Sequence, residues 1–207
     1  SDTWLMRFDQ PLPCPVAIGV SLYGLAHRLW GGPGFVDDAA QTLRQHGDVA
    51  FTSYSFQASK ILALGEGGML VTDNEGLAVL AREFSSLGYR MCADQPRIGP
   101  ATLKSPTFER HHQLGWNYRM NDPTAAEGLR QLGKADALLE RRRLCAAIYR
   151  DAVAGCDWLV PQHVPAGWTH DYWTYAARIG HRPTSEPTDD GGRYYGYPAT
   201  FENVADA

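Results

Sequence analysis

The sequence predicts an α/β fold, a mainly parallel sheet flanked by helices with a small α+β part at its C-terminal end. Three observations carry that expectation. Short apolar or β-branched runs bounded by glycine, proline or aspartate recur between residues 15 and 72, which is the mark of strands separated by turns. The first two runs are almost continuously apolar, as suits strands covered on both faces in a parallel sheet. Segments with a 3.6-residue apolar period then follow the strand-like runs, so helices are available to cover the sheet.

The runs at residues 15–23 (PVAIGVSLY), 34–37 (GFVD), 49–56 (VAFTSYSF) and 68–72 (GMLVT) are assigned as strands. From Asn74 to Gly88, the apolar residues Leu77, Leu80, Ala81, Phe84 and Leu87 keep a helical period; Asn74 suits the N-cap and Gly88 the C′ position. Residues 90–106 are polar and proline-bearing and read as a loop. A longer helix is expected to start at Asp122-Pro123, with the aspartate as cap, and to run through Ala126, Leu129, Leu132, Leu139 and Ile148 to about Gly155. Residues 173–179 (WTYAARI) read as another strand, residues 182–193 as a loop or linker, and residues 194–207 show no usable period. This organisation divides the chain into a large domain over residues 1–122, then a bridging helix and small C-terminal domain over residues 123–207.

Composition excludes several classes of function. A chain of 207 residues with 44% hydrophobic content can bury a core. Its net charge of −4 gives no basic footprint for nucleic acid or an anionic membrane, and the Arg141-Arg142-Arg143 triplet reads as the solvated face of a helix. Four irregularly spaced cysteines indicate neither a zinc site nor a disulfide framework, so a reducing, cytoplasmic setting is expected. No apolar run approaches the length of a membrane span.

The chemistry concentrates around Lys60, one of only three lysines beside sixteen arginines. It follows a predicted strand and precedes the turn Gly65-Glu66-Gly67-Gly68. A lysine at such a position can form an imine with a carbonyl cofactor. Pyridoxal phosphate also needs a carboxylate at its ring nitrogen and hydroxyl or backbone N–H donors for its phosphate. Asp37 and Asp38 stand at the end of one predicted strand, and Ser53, Ser55 and Ser59 surround the end of the next. The glycine turn either brings backbone close to a ligand or simply closes a hairpin.

Four ordered motifs carry a resemblance. They are Val36-Asp37-Asp38-Ala39-Ala40-Gln41; Ser55-Phe56 with Lys60; Gly65-Glu66-Gly67-Gly68 with Thr72-Asp73; and Gly115-Trp116-Asn117-Tyr118-Arg119-Met120 followed by Ala125-Ala126 and Gln131-Leu132. Together they resemble the DegT/StrS family, the fold-type-I, pyridoxal-phosphate-dependent sugar aminotransferases, over residues 36–179. A weaker echo lies in Val20-Ser21-Leu22-Tyr23-Gly24. The resemblance implies part of a fold-type-I aminotransferase, with residues 1–122 belonging to the cofactor-binding large domain.

It also implies roles for single residues. Lys60 matches the lysine of the internal aldimine and proton shuttle, Asp38 the partner of the pyridinium nitrogen, and Gln41 a residue beside the ring. Ser55 matches a phosphate ligand, and Asn117 an asparagine lent to the phosphate of a neighbouring subunit, which implies a homodimer with shared active sites. The implied reaction passes an amino group from an amino acid, commonly glutamate, to a nucleotide-linked keto-sugar. For His111-His112 the residues leave open either chemistry or plain loop polarity, and for Arg119 either a ligand anion or an interface ion pair.

The chain also departs from the pattern. Family members are about twice as long and carry a Gly-Ser or Gly-Thr phosphate cradle upstream, whereas none of the 21 glycines here is followed by serine or threonine. The spacing from Asp38 to Lys60 is shorter than in the family. The chain therefore reads as a truncated or reduced member, whose sheet should show unpaired edges or uncovered apolar faces.

Overall fold

A computed structural model describes residues 3–5, 15–26, 32–44, 49–90, 99–107, 109, 111 and 113–180. Residues 181–207 and His112 lie outside the described residues, as do residues 91–98 of the expected polar loop and Cys14 and Cys92.

Four strands form one sheet in the order β1 (Ala17–Val20), β2 (Gly32–Asp38), β3 (Val49–Ser55) and β4 (Gly68–Val71). The pairs β1–β2 and β2–β3 are parallel, while β3–β4 is antiparallel. The mainly parallel sheet expected from the apolar runs is thus present. The first run is shorter than its composition suggests, because Leu22–Gly24 turns away as a single 3-10 turn with Tyr23 at φ 61°. Cover on both faces is not met at β1. Val16, Ile18 and Val20, which alternate onto one side of the strand, are 60%, 58% and 40% exposed.

Helix α1 (Glu75–Ser85) starts as expected, with the Asn74 side chain accepting from the Leu77 N–H at 3.0 Å. Its end differs by one residue. Leu87 takes the left-handed position at φ 63°, and Gly88 follows it, its N–H reaching back to the Glu83 carbonyl at 2.8 Å as in a Schellman closure. A one-turn helix α2 (Pro100–Leu103) interrupts the polar loop.

The single long helix expected from Asp122 onward is two helices, α3 (Asp122–Leu132) and α4 (Ala135–Val153). Gly133 and Lys134 separate them, and glycine is the residue that, after proline, most weakens helical continuity. The cap of α3 is Asn121, whose side chain accepts from the Thr124 N–H at 2.9 Å, so Asp122 occupies the first turn instead. Between α3 and the β3–β4 pair lies an apolar cavity of about 420 Å³ lined by Tyr54, Phe56, Leu62, Leu64, Met69 and Leu129, among others.

Of the strand expected at residues 173–179, only Ala177–Ile179 pairs, as β6, antiparallel to β5 (Leu159–Pro161). No helix among the described residues is long and apolar enough to cross a membrane.

Candidate active site

Because β1, β2 and β3 are parallel, their carboxyl ends fall on one edge of the sheet, where open α/β sheets bind ligands. Asp38, the last residue of β2, is the register partner of Val20 on β1 and of Ser53 on β3. Its Oδ1 accepts the Ala40 N–H at 3.0 Å, which turns the chain out of the strand. Asp37 points to the other side and is fully buried, with its Oδ1 accepting from the Ser21 hydroxyl at 3.4 Å. Burial, reinforced by the Asp37 charge, pushes the neighbouring Tyr54 phenol up to about 12.

Ser55 ends β3, and its Oγ accepts the Gln57 N–H at 3.4 Å. Lys60 lies in the turn that follows, tied by its N–H to the Gln57 carbonyl at 2.8 Å. That turn is closed by Phe56 N–H to Gly67 O and Ala58 N–H to Gly65 O, both 2.8 Å. Gly65 sits at φ 84°, a left-handed value that suits glycine. The glycine segment therefore closes the antiparallel β3–β4 connection.

Gln41 lies just beyond Asp38, and its side-chain oxygen accepts the Tyr23 N–H, so the loops after β1 and β2 are joined. Lys60, Asp38, Gln41 and Ser55 thus belong to the carboxyl edge of one sheet. Asn117 belongs to a different element. Its backbone bridges Ser86 at the end of α1, and its Oδ1 accepts from Arg119 Nε at 3.1 Å. His111 donates from Nδ1 to the Leu87 carbonyl at 2.7 Å, beside the end of α1.

Sequence reasoning missed the segment that closes over this edge, residues 170–174. Asp171 is fully buried. Its Oδ2 accepts from Thr42 Oγ1 at 2.7 Å and from the Leu43 N–H at 3.0 Å, while its Oδ1 meets Arg143 Nη2 at 3.1 Å and Arg44 Nε at 3.5 Å. Arg142 Nη1 donates to the carbonyls of Tyr172 and Trp173 at 3.2 and 2.9 Å. The Asp171 N–H reaches the Gly24 carbonyl at 2.8 Å. Gly24 has φ 99°, and a Cβ there would lie 2.7 Å from the Trp173 nitrogen and 3.0 Å from the Gln41 carbonyl oxygen. The sequence offered a lone aspartate beside two aromatics, with no period to read, and the Arg141-Arg142-Arg143 triplet, of which only Arg141 is exposed as expected while Arg142 and Arg143 hold this segment.

His170 opens the segment. Its Nδ1 accepts the Tyr172 N–H at 2.9 Å, so Nε2 carries the proton toward Gln162 Oε1 at 3.1 Å. Burial pushes this imidazole down to about 4, against the opposing pull of the Asp171 charge.

Asp38 and Ser55 at the carboxyl ends of adjacent parallel strands, with Lys60 in the turn after Ser55, set a carboxylate, a hydroxyl and an amine along one edge of an α/β sheet. The chain belongs to the DegT/DnrJ/EryC1/StrS aminotransferase family, whose sequence profile matches residues 24–188. It is 32% identical over 128 residues to the Bacillus subtilis spore coat polysaccharide biosynthesis protein SpsC, covering 62% of this chain and 32% of that protein. Its fold is similar to the aminotransferase TlmJ from Streptoalloteichus hindustanus, with a TM-score of 0.56, 29% identity, and 70% of this chain and 38% of that chain covered. It is also similar to a mutant of GDP-4-keto-6-deoxymannose-3-dehydratase (ColD) with bound GDP-perosamine. There the TM-score is 0.64 at 20% identity, over 86% of this chain and 48% of that one. The fold is therefore that of part of a fold-type-I aminotransferase. The chain spans about a third of the length of the curated relatives it matches.

Proposed function

We propose that this chain is the Lys60-bearing part of a pyridoxal-phosphate-dependent sugar aminotransferase, which moves an amino group from an amino acid, glutamate, to a nucleotide-linked keto-sugar. The observation that carries the reading is that Asp38 and Ser55 end adjacent parallel strands and Lys60 follows in the turn after Ser55, all within the family match. That donor set fits the ring end of the cofactor: an amine for its aldehyde, a carboxylate for its nitrogen, and a hydroxyl for its phosphate. Pyridoxal phosphate, when bound, supplies an aldehyde and an electron-withdrawing ring through which an amino group can be exchanged.

In this reading, the Lys60 amine holds the cofactor and carries the proton that is moved during exchange. Asp38 keeps a proton on the ring nitrogen, Gln41 lies beside the ring, and Ser55 donates to the phosphate. Asn117, on the exposed loop after residue 113, serves the site of a second copy, so the assembly is a homodimer with shared sites in the cytoplasm. A nucleotide-linked sugar as acceptor is supported by the similar fold that holds GDP-perosamine. Residues 1–122 act as the cofactor-binding part, and residues 123–207 as the bridging helices and small C-terminal part.

A second reading is favoured by one specific observation. Within these 207 residues none of the 21 glycines precedes serine or threonine, and the alternative is a catalytically silent or fragmentary relative that keeps the scaffold for binding or assembly. Adding pyridoxal phosphate decides between the two. The enzyme reading expects a visible absorption band of lysine-bound cofactor that glutamate bleaches and Lys60→Ala abolishes. A wild-type chain with no band, or a band that survives Lys60→Ala, supports the scaffold instead.

A further inference from the structure

Lys60 does not end in open solvent. Its ammonium lies on the face of the Trp173 indole, 4.5 Å from the ring centroid. The same indole donates its Nε1–H to the carbonyl of Ser59, the residue before the lysine, at 2.8 Å. One side chain from a distant part of the chain therefore grips both the backbone of the lysine turn and the lysine head group.

We propose that Trp173 is a positioning residue for Lys60, holding the amine at the carboxyl edge of the sheet until a carbonyl ligand takes it; the cofactor part of this inference rests on the function proposed above. The indole can do this because its own backbone is fixed. Arg142 holds the carbonyls of Tyr172 and Trp173, the Thr174 N–H meets the Tyr23 carbonyl at 3.4 Å, and Asp171 anchors the segment to Thr42 and Leu43. Gly24 leaves room for this backbone to cross directly beside Gln41. The segment thus links the loops after β1, β2 and β3 and ends on the lysine.

An aromatic face suits the task better than a carboxylate. Its attraction to an ammonium is real but weak at a partly exposed site, and it offers no oxygen to accept the lysine's proton. A carboxylate would form a charge-assisted hydrogen bond that a ligand must break before reaching the amine. The ring restricts a flexible four-carbon chain and still releases it.

The chain supplies its own controls. Lys104 and Lys134, the only other lysines, are both exposed. Trace acetylation of the cofactor-free protein, read by peptide mass spectrometry, should modify Lys60 about two- to fivefold more slowly than these two references. Trp173→Leu keeps apolar bulk without the π-face and should bring the ratio close to one; Trp173→Phe keeps a ring and should retain part of the protection. Trp158→Phe, just before the β5 strand, should change nothing. In a second readout, the pyridoxal phosphate concentration giving half of the visible band should rise severalfold in Trp173→Leu and recover in Trp173→Phe.

Circular dichroism checks that each variant is folded. Equal acetylation ratios in wild type, Trp173→Leu and Trp173→Phe overturn the proposal. A changed ratio with unchanged cofactor titration overturns its cofactor part. A wild type without any band overturns the proposed function alone, since acetylation still reports on the Trp173–Lys60 contact.

Discussion

Replacing Asp171 by alanine should destabilise the chain by about 4 kcal/mol. The carboxylate is fully buried and accepts from Thr42 Oγ1 at 2.7 Å and the Leu43 N–H at 3.0 Å. A hydrogen bond to a charged group contributes about 1.5 kcal/mol or more, so these two give about 3 kcal/mol. The pair with Arg143 at 3.1 Å adds about 1 kcal/mol, because Arg143 is 34% exposed and water screens it. Arg44, at 3.5 Å and 46% exposed, adds little. Both guanidiniums can recover hydration once the carboxylate is gone, which keeps the total within the roughly 3–5 kcal/mol typical of a broken buried pair. For a chain of this size the midpoint of thermal unfolding should fall by about 8–16 °C. Asp171→Asn, which keeps the volume and one acceptor, should cost about 2 kcal/mol. Urea unfolding followed by circular dichroism measures both. A loss below about 1 kcal/mol in the alanine variant refutes the reasoning, as does additivity with Thr42→Val in a double-mutant cycle.

Two further outcomes follow from the same segment. His170 is held neutral, with a folded value of about 4 against an ordinary 6.5. Below pH 6.5 the unfolded chain takes up a proton that the folded chain refuses until about pH 4, so stability falls as pH drops through that window. The loss is about 1.4 kcal/mol per pH unit, hence about 2 kcal/mol between about pH 6.5 and 5.0, measured by urea unfolding at about pH 7.5 and 5.0. His170→Gln should flatten this dependence; an unchanged slope would rule His170 out as its source. Gly24→Ala combines a left-handed φ of 99° with a Cβ only 2.7 Å from backbone nitrogen, and should cost about 2–4 kcal/mol. A Gly24→Ala chain as stable as wild type would show that residues 170–174 do not press on that turn.

How much of this was legible in the sequence varied with the range of the interaction. β2 and β3 were readable because runs of apolar and β-branched residues encode strands locally, and the motifs around Asp38, Ser55 and Lys60 fell at their carboxyl ends. The start of α1 was readable because an N-cap is a three-residue contact. The break between α3 and α4 was hidden because the apolar stripe runs across Gly133 and Lys134, although the glycine itself was the warning. β5, three residues long and ending in proline, carries no alternation to detect. The contacts of Asp171 and Trp173 could not be read, and Trp173 reads locally as the start of a strand: their partners are Thr42, Leu43 and Ser59, far off in sequence, and only the fold brings them together.

The carboxylate that secures the turn after Asp38 is made 129 residues later than the hydroxyl it accepts from. During synthesis the strand ends carrying Asp38, Ser55 and Lys60 therefore exist long before the group that fixes them. Loop-closure entropy makes a contact over that distance a late event in folding. Until residue 171 has emerged and docked, the amide of Leu43 and the hydroxyl of Thr42 must be satisfied by water, and the lysine turn has no indole to rest on. The order of translation thus leaves this edge without its closing contacts until the chain has been made through residue 174.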